Sequence, residues 1–312
     1  MTTASLIVIG ILQGLLVLLV APLFSGFARV LRAKMHSRRG PSIFQNYRDL
    51  VKLMKRQEIV SEQAGWVFRA TPYITMISML LAAMIVPILT VQSPFGWMGD
   101  LILVVYLFVL VRFFFSLSGL ASGSTFGGMG ARRDLLIAVL IEPVLFLVLL
   151  VMALLAGSTN LGSISSGIVT SGIPYNAAVW LGMLAFAFAC FVEMGKLPFD
   201  VAEAEQELQE GPLTEYSGHS LAVLQWGLYL KQVVIVSLFL AVFVPFGSAL
   251  EITVPSAFLA GIVFLLKTSM FYIIAAVLEN SMARLRFVKT PSVIWVALGA
   301  ALLSFVFYLV NV

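Results

Sequence analysis

Cysteine is all but absent: the 312 residues contain only Cys190. A lone thiol closes no internal disulfide and cannot by itself ligate an iron–sulfur or zinc cluster. Histidine is nearly as scarce, and His36 and His219 stand too far apart for a zinc or haem spacing. No cofactor is therefore expected in this chain. Charge is short as well, at 11% Asp, Glu, Lys and Arg, where soluble domains carry roughly 25%. That shortage excludes an ordinary soluble domain, and a hydrophobic content of 61% points to lipid. No repeat of fixed period is visible, which weighs against a transporter built from two related halves. The segment Gly123–Gly130 is glycine-rich but lacks the Gly-Lys-Ser/Thr ending of a phosphate-binding loop, so it reads as a flexible turn. The net charge of +4 is what basic loops facing anionic lipid produce, and it implies no nucleic-acid partner.

What the chain has in abundance is long apolar runs. They lie near 5–28, 72–92, 100–118, 134–156, 177–195, 222–246, 256–280 and 291–311. Each approaches the ~20 residues that cross a bilayer as a helix at ~1.5 Å per residue. Continuous runs of this kind exclude the alternating pattern of a barrel. The expected fold is all-α and polytopic, with about eight transmembrane helices in one integral membrane domain over 1–312. The first run passes Pro22 without a cleavage site and reads as a retained helix.

The basic residues set an orientation. Arg32, Lys34, Arg38, Arg39, Arg48, Lys52, Lys55, Arg56 and Arg69 follow the first run, while Arg132 and Arg133, Lys196 and Lys231, and Arg284, Arg286 and Lys289 mark three later connections. The connections near 93–99, 157–176 and 247–255 hold no Lys or Arg, and Ser158–Gly172 is uncharged, as suits an external loop. By the positive-inside rule, loops near 32–70, 119–133, 196–221 and 281–290 face the cytoplasm and both termini lie outside, in the periplasm. In the first of these loops, Ile43, Phe44, Tyr47, Leu50, Val51 and Met54 recur at helical spacing over 43–56, with basic residues elsewhere. This predicts an amphipathic helix at the membrane surface, serving lipid anchorage or the docking of a soluble partner.

Ionisable groups inside spans cost at least ~2.5–3.5 kcal/mol each on insertion scales and so require a reason. Arg112, Glu142, Glu193, Lys267 and Glu279 are such groups. Glu142 lies about 12 Å from the inner end of its helix, directly before Pro143. Such a set can form a hydrophilic path for protons, or pair statically as assembly glue. The connection from Glu193 to Gly218 adds six carboxylates, Asp200, Glu203, Glu205, Glu207, Glu210 and Glu215. Asp200 with Glu203 suggests a capping box for a short helix ended by Gly211-Pro212, placing Asp200, Glu203, Glu207 and Glu210 on one face.

These residues carry a resemblance. Glu193-Met-Gly-Lys-Leu-Pro-Phe-Asp200, Glu203-Ala-Glu-Gln-Glu-Leu208 and Thr214-Glu-Tyr-Ser-Gly218 are similar to the signature loop of the complex I subunit 1 family, the membrane subunit type of respiratory NADH dehydrogenase. Arg38, Gly40, Pro41, Gln45, Asp49, Lys52 and Leu53 match that family's first loop. Met194-Gly-Lys196, Glu210-Gly-Pro212 and the reduced segment Glu279–Arg286 depart from the quinone enzymes. They resemble the hydrogenase branch, the formate hydrogenlyase and hydrogenase-4 type complexes.

The resemblance implies a membrane anchor and proton-translocation subunit of a NiFe hydrogenase complex in the bacterial inner membrane. Its partners would be the hydrogenase large and small subunits, Fe–S electron-transfer subunits on the cytoplasmic side, and antiporter-like membrane subunits. The Fe–S clusters and NiFe centre would belong to those partners. Glu142, Glu193, Asp200, Glu203, Glu205, Glu207 and Glu215 would open the charged axis, with Arg112, Lys267 and Glu279 alongside. Arg38, Arg39, Gln45, Asp49, Lys52, Glu210 and Tyr216 would dock the soluble arm. A quinone-chamber subunit of an NADH:quinone oxidoreductase and a stand-alone ion transporter are the alternatives.

Overall fold

A computed structural model describes residues 3–61, 64–96, 98–170, 176–202, 204–250, 253–283 and 289–310. Among them the secondary structure is helical apart from two isolated β-bridges. The helices are α1 Thr3–Met35, α2 Gln45–Met54, α3 Trp66–Ile85, α4 Leu101–Ala121, α5 Thr125–Ala156, α6 Leu161–Val169, α7 Ala177–Glu193, α8 Glu205–Leu208, α9 Gly218–Phe243, α10 Val254–Ser281 and α11 Thr290–Val310. Seven of them (α1, α3, α4, α5, α9, α10 and α11) are long and apolar enough to cross a bilayer. The 17-residue α7 stands at the short end of that range. The chain is a multi-pass membrane protein. Helices dominate because hydrocarbon offers backbone groups no water, and a helix satisfies them internally.

α9 is the centre of the bundle. It packs on α1, α2, α3, α7 and α10, and a continuous series from Val233 to Phe243 is buried. α10 and α11 turn Phe258, Leu266, Met270, Val296 and Val310 outward, as lipid-facing helices do.

The second span is displaced from its expected place near 72–92. Pro87 excludes helical geometry at the residue before it, and Val86 is extended at ψ 130. The freed chain is held by Gln13 of α1, whose side chain is fully buried. Its Nε2 donates to the Ala83 and Val86 carbonyls at 2.7 and 2.6 Å, and its Oε1 accepts from Ile88 N and Leu89 N at 3.3 and 3.2 Å. Every hydrogen-bonding position of this amide is used. The segment then pairs Leu89 and Val91 with Ala249, closing the end of the bundle away from the basic loops. Nearby, the connection 157–176 is not only loop, because Asn160 caps α6 by accepting from Gly162 N and Ser163 N.

At the opposite end, Gly123–Gly130 is not a flexible turn. Ser124 caps α5, and the helix begins at Thr125. The glycines there permit close approach: a Cβ on Gly130 would meet the Ala202 carbonyl at 2.6 Å and Pro212 at 2.7 Å, and one on Gly119 would meet the Gly127 carbonyl at 2.8 Å. They seat the connection 194–217 on α4 and α5. This seat also explains why no helix runs from Asp200 to Glu210. Ala204, Gln209 and Glu210 have positive φ, so helical structure is confined to α8 and a 3-10 turn, Gly211–Leu213. Tertiary packing overrides the capping-box signal. Glu203 lies outside the described residues.

The predicted amphipathic helix is present as α2, but it docks on the bundle. Pro22, inside α1, has no N–H for the Leu18 carbonyl. Trp226 Nε1 supplies a donor at 2.9 Å, Tyr47 OH donates to the Leu19 carbonyl, and Asn46 Nδ2 to that of Pro22 at 3.2 Å. Phe44, Val51 and Met54 remain exposed on α2.

Replacing Gln13 with Leu orphans two buried carbonyls and two N–H groups, at about 1–3 kcal/mol for each unsatisfied group. The thermal unfolding midpoint of purified Gln13→Leu protein should fall by several degrees. An unchanged midpoint would show that the amide does not hold the 86–92 segment.

Candidate ion path

Four helices converge on one guanidinium. Arg112, from the middle of α4, is buried and donates from Nη1 to Glu193 Oε1 at 2.7 Å. Glu193 is the last residue of α7, where the helix dipole opposes a carboxylate. Its negative charge is instead held by Arg112 and by Lys231 of α9, whose Nζ lies 2.9 Å from Oε2. From α5, Asp134 Oδ1 stands 3.5 Å from Arg112 Nε, and Glu142 Oε1 stands 3.7 Å from Nη1. Ser116 Oγ donates to Asp134 Oδ2 at 3.0 Å. Asp134 and Glu142 are eight residues apart, so two turns of α5 bring both to one face.

Two cations therefore meet three carboxylates, and with all five ionised the cluster carries one net negative charge. Glu193 is almost fully buried, whereas the Glu142 side chain is 31% exposed beside exposed Val139 and Phe146. Glu142 is thus the member that reaches the lateral surface of the bundle.

Two cavities lead to this cluster from the basic end. The inner one, about 80 Å³, is lined by Arg112, Asp134, Glu193 and Lys231. The outer one, about 230 Å³, is lined by Arg29, Arg32, Lys196, Asp200, Glu210 and Glu279. Glu279 at the end of α10 pairs with Arg32 of α1 and accepts from Leu197 N at 3.4 Å, which ties three segments together at the cavity wall.

Residues 7–309 match the family model described as NADH dehydrogenase. The chain belongs to that family. It is 49% identical over 304 residues to hydrogenase-4 component C of Escherichia coli (strain K12), covering 97% of this chain and 96% of that protein. Formate hydrogenlyase subunit 4 of the same organism is 46% identical over 296 residues, covering 95% and 96%. NADH-quinone oxidoreductase subunit 8 of Thermus thermophilus is 30% identical over 233 residues, 68% of this chain and 64% of that protein. A chain in the structure of the membrane-bound sulfane sulfur reductase, an archaeal respiratory membrane complex, superposes with a TM-score of 0.82 at 22% identity. That likeness covers 96% of this chain and 99% of the other, and it shows a shared fold.

Within this family member the sequence-predicted residues divide. Arg112, Glu142 and Glu193 come together, and Asp200, Glu210 and Glu279 line the cavities beside them. Glu207 is exposed and pairs with Arg133 at 2.7 Å. Glu215 is half-buried in the loop. The side chain of Glu205, like the whole of Glu203, lies outside the described residues. Lys267 is elsewhere: its amine donates to the Val244 and Phe246 carbonyls, so it caps the carboxyl end of α9 as a cation suits. Asp134 and Lys231 were both missed by sequence reasoning, the one standing unremarked at the start of the 134–156 run and the other assigned to a connection. A lysine within Leu228–Leu238, an otherwise apolar stretch but for Gln232 and Ser237, was the available signal.

The expected docking residues also divide. Arg38, Arg39 and Lys52 are exposed, and Gln45 donates to Asp49 along α2 at 2.8 Å. Tyr216 is buried, stacked on Phe68 at 3.9 Å between ring centroids, with its OH donating to the Phe68 carbonyl at 2.8 Å. Burial pushes its hydroxyl up to about 12. Ser217 exchanges hydrogen bonds with Ile59 at 2.8 Å, and a Cβ on Gly218 would strike the Gln57 carbonyl at 2.6 Å. The Tyr-Ser-Gly motif splices the two basic-end loops together from beneath.

Breaking a buried ion pair on one side costs about 3–5 kcal/mol. Arg112→Gln should lose stability on that scale, and Arg112→Gln/Glu193→Gln should lose less than the two single losses combined. Lys267→Met should add to Arg112→Gln within about 0.5 kcal/mol, as separate sites do. Thermal or denaturant unfolding of these variants decides: additive losses for Arg112 and Glu193 would contradict a coupled cluster.

Proposed function

We propose that the chain is the membrane-anchoring, ion-coupling subunit of a NiFe hydrogenase complex of the formate hydrogenlyase or hydrogenase-4 type. It seats a soluble electron-transfer arm on its basic end and opens a charged path into the membrane. The observation that carries this reading is the five-charge cluster at the inner end of two cavities that begin beneath the basic loops. With all five groups ionised the cluster carries one net negative charge, and a proton taken up there belongs to the group rather than to one residue. Glu142, reaching the side of the bundle, is the exit toward a neighbouring membrane subunit of antiporter type. Fe–S clusters and the NiFe centre belong to the partners, and this chain responds to them through electrostatics and movement of its loops. High identity to two hydrogenase components over nearly full length supports this branch.

The outer cavity is lined by six charged side chains, which suits water and ions better than the apolar body of a quinone. The quinone-chamber reading has behind it relatives of lower identity, such as the Thermus thermophilus subunit at 30%. Copurification decides between them, a hydrogenase large subunit supporting the proposal and a flavin-bearing NADH module overturning it. A stand-alone transporter is overturned if the isolated chain in vesicles moves no ions.

In this reading the basic loops face the cytoplasm and both termini the periplasm. A reporter enzyme active only in the periplasm should therefore work when fused at the carboxyl end, and silence there would reverse the orientation. Glu142→Gln and Glu193→Gln should both lower ion movement per hydrogen turned over, with the complex still assembled. Failed assembly, with ion movement per surviving complex unchanged, would mean that the pairs are static glue.

A further inference from the structure

The inner and outer cavities share four lining residues, Gly195, Asp200, Leu228 and Gln232. Glycine has no side chain and leucine has no polar side-chain atom. Only Asp200 and Gln232 can therefore carry a hydrogen-bonded connection across the partition through their side chains. Gln232 lies on α9 next to Lys231, the cation that pairs with Glu193. Its Nε2 donates to the Met194 carbonyl at 2.9 Å, a bond that uses the residue closing α7 and fixes the plane of the amide. Its Oε1 is buried and accepts from no group among the described residues. A buried amide oxygen left in that state costs about 1–3 kcal/mol unless water serves it, and polar cavities of this size hold water with two or more partners.

We propose that Gln232 is a positioning residue that holds a water molecule at the junction of the two cavities. The proposal rests on the ion-coupling reading above and names the point at which the outer cavity is joined to the charge cluster. The amide is itself neither acid nor base under these conditions. It fixes an oxygen that accepts from the water, and that water completes the hydrogen-bonded line between Asp200 on one side and the Lys231–Glu193 pair on the other. The bond to Met194 is what makes this oxygen a fixed one. Met194 follows Glu193 directly, so a displacement at the end of α7 turns the amide and breaks the line at the same moment. The geometry thus supplies a positioned water and a means of interrupting it.

Two measurements test this on the intact complex. In a high-resolution map of the wild-type assembly, an ordered water should lie within hydrogen-bond distance of Gln232 Oε1; a dry junction there overturns the proposal, whatever the complex pumps. In vesicles, Gln232→Leu and Gln232→Met both keep the approximate length of the side chain and remove its amide. Each should bring ion movement per hydrogen turned over down to background while hydrogen turnover persists, and Gln232→Glu, which keeps an oxygen acceptor but lacks the N–H that bonds Met194, should not restore it. Wild-type pumping with undiminished ratios in whichever apolar variant assembles sinks the assignment of Gln232 alone. A wild-type complex that moves no ions sinks the ion-coupling reading itself, and the water density is then judged separately.

Discussion

A guanidinium buried among membrane helices is the constraint around which this bundle is arranged. Removing Arg112 from water carries a penalty of several kcal/mol that only close counter-charges offset. Those counter-charges come from α5 and α7, and the cation that balances them in turn comes from α9. The shortness of α7 follows from the same demand. Its last residue, Glu193, has to stop inside the bundle beside Arg112 rather than continue to the surface. Because the helix ends there, the following loop begins at depth and the cavities form where a longer helix would have filled the space.

The second requirement is that this loop return to the surface without exposing the cluster to bulk water. Glycines on α4 and α5 admit the backbone at Ala202 and Pro212 to a distance no larger residue allows. The Phe68–Tyr216 stack and the Ser217–Ile59 bonds fasten it to the other basic-end loop. The residues that most resemble a signature in the sequence thus serve two purposes. Asp200 lines the cavities, while Tyr216, Ser217 and Gly218 hold the two basic-end loops together.

Much of this was legible beforehand, for identifiable reasons. Apolar runs the length of a bilayer have few alternatives, so the all-α polytopic fold followed from them, and α2 was visible in its spacing. Arg112, Glu142 and Glu193 were visible because charge is costly in lipid. What failed were inferences from local signals. The Asp200–Glu203 capping pattern predicted a helix that the glycine seat forbids, and Gly123–Gly130 was read as flexible when its glycines serve close approach. Lys267 was grouped with the cluster on hydropathy alone, yet its partners are the carbonyls at the end of α9. Asp134 is the first residue of the 134–156 run, where span limits decide whether a charge counts as buried and sequence places those limits least well, whereas Lys231 lies well inside the 222–246 run and was passed over as part of a connection.

Family membership and near-complete coverage by hydrogenase components give this architecture a setting, and the proposed function puts the charges of this membrane subunit directly below a redox module. The measurement that bears most directly on that claim is a structure of the assembled complex. The account predicts the soluble module seated over the loops at 36–58 and 194–217, with the outer cavity sealed beneath it and a neighbouring membrane helix presenting an ionisable side chain to Glu142. A module bound elsewhere, with the cavity open to bulk solvent and Glu142 facing lipid, would contradict it.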